Sequence, residues 1–243
     1  MKYAVRTDIG KRDTNEDAYL IPQEGSTLPL FAVSDGMGGC LAGEVASRMV
    51  VDGLWDEFGS GNTTVTERAL KGAIRNINIS VYRLAKADTS KKGMGATLVC
   101  AYIGPEKVLA ANVGDSRLYR ITDNTILPVT KDQSFVQALV DSGAITSEEA
   151  KTHPRRNCIL QAMGAELSIR PDFYRFDRKT GDRLILCSDG LCGVLDESEI
   201  LGISSANSDV QTCADALVVR ALEMQGTDNV TVIVIDLNEE ANA

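Results

Sequence analysis

Histidine is almost absent: the 243 residues contain one, His153. The six cysteines (Cys40, Cys100, Cys158, Cys187, Cys192 and Cys213) form no CxxC pair. A structural zinc site has no ligand set here. A chain of this length buries a core without disulfide staples, so reduced thiols in a cytoplasmic protein are the expectation. Positive charge is also short, with 25 Lys and Arg against 34 Asp and Glu and a net charge of −9. That balance argues against nucleic-acid or anionic-membrane partners, which need a basic face. Phosphate chemistry stays open, because a metal can reverse the field at one site. No apolar run approaches the ~18 residues of a membrane span. The opening MKYAVRTDIGKRD has no apolar stretch after its basic residues, as a signal peptide requires. Neither a Pro/Ser/Gly-rich linker nor a long-period repeat interrupts the chain, so one domain over 1–243 is expected.

What is present is ordinary globular material, 44% hydrophobic and 24% charged. Short β-prone runs occur at 5–7, 18–21 and 28–34. Apolar spacing predicts a helix over 44–58 and a long one over 62–88, capped by Thr64 or Thr66, with a stripe of Leu70, Ile74, Ile77, Val81 and Leu84. Strands follow at 96–103, 107–112, 117–121 and 126–129, then helices at 134–142 and 147–152. Residues 141–157 are polar and turn-rich, a surface lobe. Strands at 173–176 and 183–187, helices at 197–202 and 210–225, and a strand at 230–237 complete the order. This is not βαβα alternation; two sheets flanked by helices fit it better.

Two segments share one form. FAVSDG at 31–36 and LILCSDG at 184–190 are apolar strands ending in Ser-Asp-Gly. Asp115 follows the strand LAANVG, Asp228 precedes NVTVIVIDL, and Asp17 precedes AYLI. Any one such aspartate is most simply a turn residue. Five of them at strand ends, from distant parts of the chain, suggest a cluster. Carboxylates are hard ligands suited to Mg²⁺ or Mn²⁺, and several together repel unless cations neutralise them. A glycine after the aspartate lets its own carbonyl approach an ion. Two ions sharing a bridging hydroxide can clamp a phosphoryl group for in-line hydrolysis. An arginine then suits the phosphate oxygens, and Arg12, near Asp17, is the candidate.

At these residues the sequence resembles the metal-dependent Ser/Thr protein phosphatases of type 2C, in their bacterial form. The motifs run in the family's order: TDIGKRDTNEDA (7–18), FAVSDGMGG and AGEVAS (31–39, 42–47), GMGATLVCA (93–101), NVGDSRLYR (112–120), TKDQSFVQ (130–137), HPRRN and AMG (153–157, 162–164), LILCSDGL (184–191) and TDNVTVIVI (227–235). The resemblance implies an α+β fold, a four-layer αββα sandwich of two antiparallel sheets with a metal cleft at one end. It implies two Mn²⁺ or Mg²⁺ ions and a third, weaker one. Asp35 would bridge the pair, Gly36 would offer its carbonyl, and Asp189 and Asp228 would complete the other shell. Asp17 would act through water, Asp115 with Asp189 would hold the third ion, and Arg12 would bind the substrate phosphate. Residues 141–156 correspond to the family's flap. The implied activity is hydrolysis of phosphoserine and phosphothreonine in proteins, opposing a Ser/Thr protein kinase.

Departures from the family pattern cluster where an acid is expected. Cys40 stands where bacterial relatives carry His, and Met37 where eukaryotic ones do. Asp132-Gln133-Ser134 replaces the usual Asp-His-Ser, and Gln161 replaces an Arg at the end of the flap. His153 reads as a surface residue. Protonation of the leaving group then falls to a metal-bound water. Two alternatives stay open on the sequence: a phosphatase of a partner-switching regulator, and a pseudophosphatase that binds phosphoproteins without turnover.

Overall fold

The computed structural model describes residues 1–23, 25–38, 42–61, 63–224 and 226–237. Its first sheet contains β1 (Lys2–Asp8), β7 (Arg117–Thr122), β8 (Thr125–Pro128), β10 (Arg183–Cys187) and β11 (Val230–Asp236), in the order β1-β11-β10-β7-β8. The second contains β2 (Asp17–Leu20), β3 (Leu30–Met37), β5 (Leu98–Ile103), β6 (Lys107–Val113) and β9 (Asp172–Asp177), in the order β2-β3-β5-β6-β9. The two-residue β4 (Gly95–Ala96) pairs with β3. All these pairings are antiparallel.

The long apolar runs are explained by burial on both faces of each sheet. In β3, Phe31 and Val33 point to the space between the sheets, while Leu30 and Ala32 point to the helices. In β5, Val99, Ala101 and Ile103 face the other sheet; Leu98 and Cys100 face helices α1 (Ala42–Phe58) and α2 (Glu67–Ala87). Strands β10 and β11 divide the same way. Leu184, Leu186, Ile233 and Ile235 face inward, whereas Ile185, Cys187, Val232 and Val234 pack on α5 (Asp189–Cys192), α6 (Glu197–Ala206) and α7 (Val210–Glu223). Period-2 alternation between two apolar environments thus yields three cores and the layer order helix, sheet, sheet, helix. Helices α3 (Phe135–Asp141) and α4 (Ser147–Thr152) lie in the exposed segment between β8 and β9.

Several element boundaries differ from expectation for local reasons. The long helix starts at Glu67, because the Thr66 hydroxyl accepts from the Ala69 N–H and caps it there. The strand expected over 96–103 breaks at Thr97, whose hydroxyl accepts from the Asp35 N–H (2.9 Å) in place of a ladder carbonyl. Helix α6 runs on to Ala206, held at its start by an Asp196–Glu199 capping box. Helix α7 ends at Glu223, and the expected end at Gln225 lies outside the described residues. The short helix α5, directly after Ser188, was not expected.

Candidate active site

Antiparallel pairing brings the aspartates to one end of the sandwich. Strands β3 and β6 both run antiparallel to β5, so their ends share an edge, and β2 begins there opposite β3. Asp17 and Asp35 are register partners across β2 and β3. In the other sheet, β10 ends where β11 begins, which places Asp189 near Asp228. Ser188 joins the two groups: its hydroxyl donates to Asp17 Oδ2 (2.8 Å) and accepts from the Thr231 N–H (3.0 Å). The Thr97 hydroxyl receives the Asp35 N–H and lies 2.6 Å from the Ser116 hydroxyl, tying β3 to the loop that carries Asp115.

The electrostatics are those of crowded carboxylates only partly offset by Arg12 and Arg117. Asp17 is buried, and the other four are half-buried at a cleft. Burial, followed by the charges of Asp189 and Asp228, pushes Asp17 up to about 7, although hydrogen bonds from Thr231 and Ser188 oppose the shift. Burial and the charge of Asp189 take Asp115 to about 7 as well. Asp35 is raised by burial and then by Asp17 and Asp189. Asp189 is raised by burial and then by Asp228. Asp17 Oδ1 and Asp189 Oδ1 are buried oxygens with no hydrogen-bond partner. Orphaned carboxylate oxygens in an all-oxygen donor set fit a hard divalent cation.

No group of three or more His, Cys, Asp or Glu side chains among the described residues is already arranged for one ion. The Asp228 carboxylate is engaged with Arg12, whose Nη2 donates to Oδ2 at 2.7 Å. That contact raises the guanidinium pKa further above its ordinary value. The loop bearing Arg12 is clamped by Asn229, whose amide donates to the Ile9 and Thr14 carbonyls while its oxygen accepts from the Glu16 N–H. Gly10, at φ +60°, lies directly over the Asp228 backbone, and a Cβ there would sit 2.1 Å from the Asp228 carbonyl oxygen. Gly36 has a packing reason beyond its carbonyl: a Cβ would stand 2.1 Å from the Gly43 oxygen and 2.6 Å from the Glu16 oxygen.

A sequence model of the family Protein phosphatase 2C matches residues 6–222. The serine/threonine phosphatase stp of Listeria welshimeri is 37% identical over 238 residues, covering 96% of this chain and 94% of that protein. The chain belongs to the protein phosphatase 2C family. Among solved members, the Staphylococcus aureus Ser/Thr phosphatase superposes with a TM-score of 0.91 at 40% identity, over 96% of this chain and 93% of that one. The catalytic domain of PstP in complex with two manganese ions gives 0.86 at 34% identity, over 97% of each chain. Full-length PstP of Mycobacterium tuberculosis is longer, and this chain spans 45% of it at 36% identity. The four-layer αββα fold inferred from the phosphatase resemblance is therefore the fold of this chain, and its activity is that of a divalent-metal-dependent protein phosphatase.

The family's departures have visible local roles here. Gln133 takes the Gly114 N–H on its side-chain oxygen and donates to the Arg170 carbonyl and to Asp172, linking the Asp115 loop to β9. Gln161 pairs with both backbone groups of Arg170. His153 is half-buried, its Nδ1 accepting from the Arg155 N–H at the end of α4, so it shapes a turn. Met37 closes β3, and Cys40 lies outside the described residues. Ser188, Thr97 and Asn229 escaped the sequence reading. Ser188 and Asn229 were signalled only by adjoining Asp189 and Asp228, and Thr97 by nothing local.

Proposed function

We propose that this phosphatase hydrolyses phosphoserine and phosphothreonine in proteins at the aspartate cleft, using two Mn²⁺ or Mg²⁺ ions and a third, weaker one. The observation that carries the reading is the gathering of five strand-end aspartates from both sheets, with orphaned oxygens on Asp17 and Asp189. Asp35 and Gly36 would hold the ions jointly, with Asp189 and Asp228 on one side, Asp17 behind, and Asp115 with Asp189 for the third. When bound, the cations supply the positive charge that neutralises this cluster and acidifies a nucleophilic water. Arg12 stands at the rim, partly exposed, with its guanidinium able to take phosphate oxygens once it parts from Asp228. Ser188 fixes the Asp17 carboxylate and Thr97 the Asp35 backbone before substrate arrives, which is the preorganisation such chemistry requires. Retention of all five aspartates disfavours a pseudophosphatase.

The shared core between the sheets supports one domain over 1–243, with the exposed lobe at 141–156 as the flap. The substrates would be cytoplasmic phosphoproteins made by a Ser/Thr kinase, since such kinases draw on intracellular ATP. No described helix is long and apolar enough to cross a membrane. The test is hydrolysis of p-nitrophenyl phosphate and a phosphothreonine peptide after chelation and readdition of Mn²⁺ or Mg²⁺. Activity is expected to vanish with EDTA and return with metal; turnover that ignores chelation would overturn the reading.

A further inference from the structure

Helix α2 carries five basic residues and one acid, on a chain whose net charge is −9. At 100° per residue, Arg68, Lys71, Arg75, Arg83 and Lys86 fall within about 120° of arc. They lie opposite the buried face of Leu70, Ile74, Ile77 and Val81. From Arg68 to Lys86 the row is about 27 Å long. Arg68, Lys71, Arg75 and Arg83 make no ion pair or side-chain hydrogen bond among the described residues. At the start of α2, Arg68, Lys71 and Arg75 line a shallow groove of about 540 Å³ with Gly72 and Arg175 of β9. Glu67 is spent on Arg175 at 3.0 Å.

This arrangement works against the helix itself. Cations three and four residues apart repel, and Arg68 in the first turn opposes the helix dipole. A protein with more acids than bases had ample means to neutralise the row, yet left it bare. Its other end approaches the cleft. After α2 the chain makes a short turn at Thr89–Lys91, and Met94 then packs on Gly38, where a Cβ would lie 2.7 Å from the Met94 Cα. Gly38 leaves the strand that presents Asp35 and Gly36.

We propose that this row is a docking track for an acidic segment of the substrate protein, flanking the phosphorylated residue. The inference rests on the phosphatase reading and names the substrate class it selects: phosphoproteins with a run of Asp, Glu or further phosphates beside the target site. A row of about 27 Å matches about eight extended residues. Such rim charges act mainly on encounter and on affinity at low salt, leaving chemistry untouched.

The test uses the full chain with saturating Mn²⁺, as wild type, R68Q/K71Q/R75Q and the charge-reversed R68E/K71E/R75E. Substrates are p-nitrophenyl phosphate and phosphothreonine peptides with acidic or neutral flanks of about sixteen residues on either side, long enough to cross from the cleft to Arg68. For the triple Gln variant, the KM of an acidic-flank peptide should rise about 5- to 20-fold at low salt, and further for the Glu variant. The neutral peptide and p-nitrophenyl phosphate should stay within about twofold, and ~0.5 M salt should erase the wild-type preference. Equal effects on both peptides, or no wild-type preference for either acidic flank, would overturn the proposal. If wild type hydrolyses nothing, the phosphatase reading fails separately. Fluorescence anisotropy of the labelled acidic peptide then decides docking: binding lost in the variants supports it, and unchanged binding overturns it.

Discussion

Neutralising one site carboxylate should stabilise the metal-free protein while disabling it. Asp17 is the sharpest case, being buried, held at about 7 and left with an orphaned Oδ1. An acid with a higher pKa folded than unfolded binds more protons in the folded state between the two values. Stability therefore falls as pH rises from about 4 to about 7, and the loss persists above. The gap between about 7 and the ordinary 3.8, at about 1.4 kcal/mol per decade, amounts to on the order of 4 kcal/mol. Shared protons among neighbouring aspartates reduce this, so about 2–4 kcal/mol is expected. Asp17→Asn removes the charge and keeps an oxygen to accept from Ser188. In EDTA at pH 8 the variant should unfold at higher urea than wild type and melt roughly 5–10 °C higher. At pH 4.5 the advantage should shrink to about 1 kcal/mol or less. Added Mn²⁺ should stabilise wild type strongly and the variant less, with turnover reduced. The reasoning is refuted if Asp17→Asn is no more stable at pH 8, or gains equally at both pH values.

Four further outcomes follow from the site. Asp35→Ala should abolish p-nitrophenyl phosphate turnover with an unchanged circular dichroism spectrum; retained turnover at saturating Mn²⁺ would remove Asp35 from the metal set. Arg12→Ala should raise KM about 10- to 100-fold, the worth of a charge-assisted hydrogen bond, without weakening Mn²⁺ binding by calorimetry. Reduced Mn²⁺ affinity with constant KM would instead make Arg12 structural. Thr97→Val leaves the Asp35 N–H without its acceptor and should cost about 1–3 kcal/mol in urea unfolding, with a fall in kcat; a neutral effect on both would show that the ladder breaks there for another reason. Cys40→His should favour a phosphothreonine peptide over p-nitrophenyl phosphate, because only the alkoxide needs an acid, and an equal change for both would exclude position 40 from that role.

Much of the architecture was legible because its strands are buried on both faces. Unbroken apolar runs such as LILC and VTVIVI stand out from amphipathic helices, and the Ser-Asp-Gly endings mark where those strands meet the cleft. What escaped notice depends on partners far along the chain. Ser188 and Asp17 are 171 residues apart, and Asn229 clamps a loop more than 200 residues earlier. Thr97 looked like one more β-branched strand residue until its hydroxyl was seen replacing a ladder acceptor. The apolar stripe of α2 was visible by period, but the unpaired cations behind it gained meaning only once the opposite face was known to be solvent-exposed.

Strand β11 sits between β1 and β10, though it is formed from nearly the last described residues. On a ribosome, β1 and β10 would emerge with an empty slot between them, and Asp228 would not yet exist. Long-range pairing of this kind is slow, and it exposes strand edges in the interim. A nascent chain therefore lacks the complete aspartate cluster until Asp228 and β11 behind it have been made. Termination before β11 would leave two unpaired strand edges, prone to aggregation, and no Asp228.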